Sequence, residues 1–150
     1  MIEWEAQKEL FDWDGSWRDL YIRDTQVHDW QQLLDHFRQW ERQLTFTIDS
    51  LSHPLPPNVE SIFALRAHAL PFLCIQTDHV RVNCHFFGAG QIEFDIDPRE
   101  ITDSASFTLL LNFMMHVGST LGKEVRLTPE NAPDHILLRY NPSTGQIVAR

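Results

Sequence analysis

Two short stretches hold the residues best placed to do chemistry. In Val80-Arg-Val-Asn-Cys-His-Phe-Phe, Arg81, Asn83 and His85 fall at every second position, and in Gln91-Ile-Glu-Phe-Asp-Ile-Asp, Glu93, Asp95 and Asp97 do the same. Alternation with a period of two puts each set on one face of a strand, with Val80, Val82, Cys84, Phe86, Ile92, Phe94 and Ile96 on the other. The glycine-bearing loop Phe87–Gln91 pairs Phe86 with Ile92, so His85 opposes Glu93, Asn83 opposes Asp95 and Arg81 opposes Asp97. Opposed Cβ atoms lie roughly 4.5–5.5 Å apart. An imidazole beside a carboxylate has its pKa raised, which suits general acid–base work near neutrality. His85, Glu93 and Asp95 could also ligate a metal. The plainer reading of the same letters is a solvated face whose charges pair across strands. Phe72 and Phe87 fall on this wet side and imply that a loop, a terminus or a partner covers part of it.

Those strands need a frame. Phe72-Leu-Cys-Ile-Gln-Thr and a turn at Asp78-His79 precede them, giving an antiparallel three-strand meander. Upstream, Asp14-Gly15 between Phe11-Asp-Trp13 and Trp17–Ile22 predicts a hairpin, because both central residues tolerate positive φ. Thr25 is an N-cap candidate for an amphipathic helix over about 26–41, with Trp30, Leu33, Leu34, Phe37 and Trp40 on its apolar stripe. Leu44, Phe46 and Ile48 alternate as a strand; the proline-bearing Ser50–Pro57 segment reads as a surface loop. Asn58 can cap a short helix through Val59, Ile62, Phe63 and Leu65 that Pro71 ends soon after. Asp103 or Ser104 opens the second main helix, striped by Phe107, Leu110, Leu111, Met114, Val117 and Gly118 and closed by Gly122-Lys123. Short strands at Val125-Leu127, Ile136-Tyr140 and Ile147-Val148 follow. Strands outnumber helices and hairpins dominate. The expectation is one α+β domain over 1–150: a mostly antiparallel sheet with two main helices packed on one face, a two-layer sandwich.

Other constellations fail on counting. All five tryptophans lie in the first forty residues; Trp30 and Trp40 fall on the helix stripe, while Trp13 and Trp17 flank the expected hairpin as an aromatic pair or an exposed anchor. His28 and His36 are two helical turns apart, too far to share one ion, and no Cys-x-x-Cys or zinc helix exists. Glu93-Phe-Asp-Ile-Asp-Pro lacks the glycine and closing glutamate of a calcium loop. Gly118-Ser-Thr-Leu-Gly-Lys123 is one residue short of a phosphate loop and closes a helix instead of opening one. No metal or cofactor is expected.

Composition narrows the partners. With 21 acidic residues against 12 lysines and arginines, the net charge of −9 repels phosphate backbones and anionic membranes, so nucleic acid and membrane partners are disfavoured and basic proteins are not. The start, Met-Ile-Glu-Trp-Glu-Ala, is unlike a signal peptide, and a cytoplasmic location is expected. Cys74 and Cys84 sit on opposite faces of one sheet, which argues against a bridge.

Val80-Arg-Val-Asn-Cys-His-Phe-Phe, Ile92-Glu-Phe-Asp-Ile-Asp-Pro-Arg-Glu and Leu127-Thr-Pro-Glu-Asn-Ala-Pro resemble segments of small bacterial single-domain proteins of no known activity. In size, acidity and tryptophan content the chain is also similar to bacterial immunity proteins, which bind and silence a cognate toxin. That resemblance implies a non-enzymatic protein-binding module, immunity-type or regulatory. Glu93, Asp95 and Asp97, with Asn83, Arg81 and His85 beside them, would meet a basic partner, and Phe87 or Trp17 would serve as the anchor. The competing expectation is a small enzyme or metal protein using His85 with Glu93 or Asp95 in a pocket roofed by the proline loop. A structural subunit of a homodimer is a third; monomer and homodimer are both open.

Overall fold

The computed structural model describes residues 2–40 and 42–150, so the expected helix end at 41 lies outside the described residues. In chain order come α1 (Trp4–Gln7), β1 (Arg18–Arg23), α2 (Val27–Gln39), β2 (Gln43–Ile48), β3 (Leu51–His53) and α3 (Val59–Leu65). The meander is β4 (Pro71–Thr77), β5 (Val80–His85) and β6 (Gln91–Ile96), followed by α4 (Ser104–Leu121), β7 (Val125–Pro129), β8 (Leu138–Asn141) and β9 (Gln146–Ala149). All nine strands form one open antiparallel sheet in the order β3-β2-β4-β5-β6-β1-β7-β8-β9. The long helices α2 and α4 pack together on one face of it, the α+β arrangement expected from the sequence.

The core lies between that face and the helices. Leu73, Ile75, Val82, Cys84, Phe86, Ile92, Phe94 and Ile96 from the sheet meet Trp30, Leu33, Phe37, Phe107, Leu110, Phe113 and Met114 from the helices, all buried. The rings interlock, with Phe94 and Phe113 edge to face at 5.1 Å. α4 approaches β8 so closely that a Cβ on Gly118 would stand 2.3 Å from the Tyr140 ring. That contact makes glycine necessary in a helix interior where it otherwise weakens the helix. α4 opens on Asp103, whose carboxylate accepts from the Ser106 N–H, and closes on Gly122 in the left-handed conformation. Lys123 does not stay at the helix end; its ammonium donates to the Asp24 carbonyl at 3.0 Å.

Three local expectations are corrected. Asp14-Gly15 does turn, with Gly15 at φ 88°, but the flanking residues form no hairpin. The buried Arg18 guanidinium instead gathers the carbonyls of Leu10, Asp12, Ser16 and Trp17, satisfying a backbone that a ladder would otherwise have paired. β1 is thereby free to enter the sheet between β6 and β7. Within the proline segment, Asp49 and Ser50 both take positive φ, a tight turn that lets β3 pair with β2 at the sheet edge before Pro54 stops it. Thr25 does not cap α2, which starts after Gln26, and Asn58 holds the N-cap position of α3 without a side-chain cap bond. The Thr25 hydroxyl donates to the Ala89 carbonyl, while Asp29 accepts from the Gln26 N–H and Gln31 from the Val59 N–H. Among the described residues no helix is long and apolar enough to cross a membrane.

Candidate functional site

The face of the sheet away from α2 and α4 can be read as two rows that cross the strands. The first runs Thr47, Phe72, His85, Glu93, Tyr21, Arg126, Arg139, Val148. The second runs Thr45, Cys74, Asn83, Asp95, Asp19, Thr128. His85 stands opposite Glu93 and Asn83 opposite Asp95, the register that the strand parity predicts. Because β1 lies beside β6, Asp19 and Tyr21 join the same surface.

The side chains do not follow the straight cross-strand pairing. His85 reaches diagonally, placing Nε2 2.6 Å from Asp95 Oδ2, while the Asn83 amide donates to the other carboxylate oxygen at 2.9 Å. An ionised carboxylate only accepts, so Nε2 carries the proton of this bond. The imidazole stacks on Phe87, ring centroids 5.0 Å apart and planes 5° from parallel, and meets the edge of Phe72 at 5.5 Å. Burial lowers the proton affinity of His85, but the hydrogen bond to Asp95 and the charges of Asp95, Glu93 and Asp19 outweigh it and leave the pKa above the ordinary histidine value.

Beside this pair the carboxylates crowd. Asp19 accepts from the Tyr21 hydroxyl at 2.9 Å and from the Asn131 N–H at 2.8 Å. Burial nonetheless pushes its pKa up, helped by the charges of Asp95 and Glu130. Glu93 is raised as well, by burial and by Asp19, with His85 pulling the other way. Tyr21 is held neutral by its burial and by the Asp19 carboxylate. Glu130, on the loop after β7, accepts from the Trp17 N–H at 2.8 Å and so closes one end.

Together Trp17, Asp19, Phe72, Asn83, His85, Phe87, Glu93, Asp95, Glu130 and Asn131 line an open trough of about 470 Å³. Six of the residues singled out from sequence line it: His85, Glu93, Asp95, Asn83, Phe87 and Trp17. The other two are drawn away. Arg81 forms a two-pronged bond to Glu100, and Asp97 caps and pairs with Arg99. Phe87 is the most exposed of the lining aromatics, at 59%. Trp13 lies off the trough with the Arg99 guanidinium 3.8 Å above its ring. The proline loop does not roof the site: the carbonyls of Leu55, Pro56 and Pro57 bond Arg38 and Gln31 of α2, on the opposite face.

Asp19, Tyr21, Glu130 and Asn131 were not foreseen. The alternation Asp19-Leu-Tyr-Ile22 marks Asp19 and Tyr21 as one polar face of a strand, but only the non-local pairing of β1 with β6 brings that face to His85. The metal reading finds no geometric support: among the described residues no three histidine, cysteine or acidic side chains are arranged to hold an ion. A second depression, about 430 Å³, lies on the helix side between Trp4, Phe107, Leu111, Met115 and Ile147. Its walls are mostly apolar and bring Glu3 as their one ionisable group, unlike those of the trough. No family model, curated protein or solved structure matches the chain.

Proposed function

We propose that this chain is a non-enzymatic binding module of the immunity or regulatory type, which seats a basic side chain of a partner protein in the trough on its open sheet face. The observation that carries the reading is the convergence of Asp19, Glu93, Asp95 and Glu130 on one depression walled by Phe72, Phe87 and Trp17, with His85 the one lining residue able to carry positive charge. A lysine or arginine gains there from the carboxylates and from the aromatic walls, Phe87 already carrying His85 and Arg66 against its ring. The net charge of −9 adds long-range attraction for a basic partner.

Titration of isotopically labelled protein with a tetra-arginine peptide tests this. Resonance shifts should concentrate on the His85 ring, the Asn83 side-chain amide and the Trp17 indole, and fade as salt is raised. Shifts spread evenly over the acidic surface, or indifferent to salt, would count against it.

One observation favours a second reading, a small acid–base enzyme: the short His85–Asp95 bond with the histidine pKa raised. The lining residues offer this reading no serine, cysteine or lysine nucleophile; Cys84 is buried on the other face, and Cys74, beside Asn83 on this one, has its thiol pKa pushed up by burial.

A further inference from the structure

We infer that binding of a cation in the trough is coupled to loss of the proton on His85, so that the partner's guanidinium or ammonium replaces the positive charge that the imidazolium sets beside Asp95 and Glu93 in the free protein. The inference rests on the binding reading above and adds its control by pH.

The geometry gives His85 the place of a built-in cation. Its Nε2 holds Asp95 at 2.6 Å, and its ring lies against the face of Phe87 and the edge of Phe72. These are the same kinds of contact, carboxylate and aromatic, that an incoming basic side chain would use. The charged or titratable groups around it are Glu93 and Asp95 from β6, Asp19 and Tyr21 from β1 and Glu130 beyond β7. Beyond Phe87, Arg66 at the end of α3 lies 5.4 Å from that ring. Arg66 apart, which is separated from the imidazole by the Phe87 ring, the neighbours that can carry charge are acids or a phenol. A protonated His85 is thus stabilised when the trough is empty and repelled when a second cation arrives. The displaced proton goes to solvent, and the neutral ring can still donate Nε2–H to Asp95.

Linkage then fixes the sign. Affinity for a cation rises with pH through the titration of His85, by up to about tenfold per pH unit where one full proton is released. The window runs from the lower pKa of the complex up to the raised pKa of the free protein, so its upper end lies above the ordinary histidine value of 6.5, where Asp95 holds the proton on.

Calorimetric titration with tetra-arginine, in two buffers of different ionisation enthalpy between pH 6 and 8, reads the proton directly. Wild-type protein should release protons on binding, and His85→Gln should bind without release and with little pH dependence. As a check that needs no variant, the His85 ring titration followed by resonance shifts should move to lower pH when the peptide is present. Binding without proton release, or release that persists in His85→Gln, would overturn the inference and leave the binding reading standing. No binding at any pH would overturn both.

Discussion

Glu93 shows what the trough costs the fold. It is half-buried, its carboxylate accepts no hydrogen bond among the described residues, and its pKa is raised first by that burial and then by Asp19. A carboxyl whose pKa is higher folded than unfolded stabilises the fold while protonated and loses that contribution as pH climbs through the carboxylate range. Glu93→Gln removes this loss. The variant should be more stable than the parent at pH 7.5, by about 0.5–1 kcal/mol, with the gain shrinking toward pH 4 where the parent's carboxyl is already neutral. Thermal unfolding at the two pH values checks this, and equal stability at both would mean that Glu93 is not under strain. Residues that sacrifice stability without serving the core are expected where a surface binds something. Asp19 has the same sign of shift but accepts two hydrogen bonds, so its removal would mix opposing effects.

The elements that present these residues differ in how openly the sequence declares them. β5 and β6 were legible because a short loop and strict alternation leave one register that buries Cys84 and Phe94 together, and the observed pairing is that one. The two long helices were legible from their apolar stripes and, for α4, from the Asp103 and Gly122 ends. β1 was not. Its local signal, Asp14-Gly15 between aromatic runs, predicts a hairpin, and what defeats the hairpin is one arginine. Arg18 is buried, and its planar fork bonds four main-chain carbonyls of residues 10–17. Lysine cannot reproduce that fork. Arg18→Lys should therefore lose about 2 kcal/mol or more in urea unfolding, since buried carbonyls are left unpaired. A loss within error would mean that the segment is held by Phe11 and Trp4 packing on Phe107 instead. The trough inherits this gap in legibility: Asp19 and Tyr21 reach it through β1, and no local pattern announces their pairing with Asp95 and Glu93, far away along the chain.

At the scale of the molecule, a nine-strand sheet with α2 and α4 on one face carries neither long helix on the other, where Asp19, Tyr21 and Thr128 are nonetheless buried and the loop after β7 reaches Asp19 through Asn131. Of the sheet's middle strands, β6 and β1 carry the acids Glu93, Asp95 and Asp19, and β5 brings Asn83 and His85 beside them. Two effects of charge must be told apart here. The overall −9 speeds the approach of any basic molecule, whereas only groups in the trough hold it once bound. The affinity of tetra-arginine for two charge-matched double variants near 0.15 M salt separates them. Glu93→Gln with Asp95→Asn removes two trough carboxylates. Glu9→Gln with Glu60→Gln removes two exposed ones, from the N-terminal segment and from α3. A site in the trough predicts about tenfold or greater weakening for the first pair and less than about twofold for the second. Equal weakening by both would reduce the trough to part of a diffuse negative surface and contradict the proposed site.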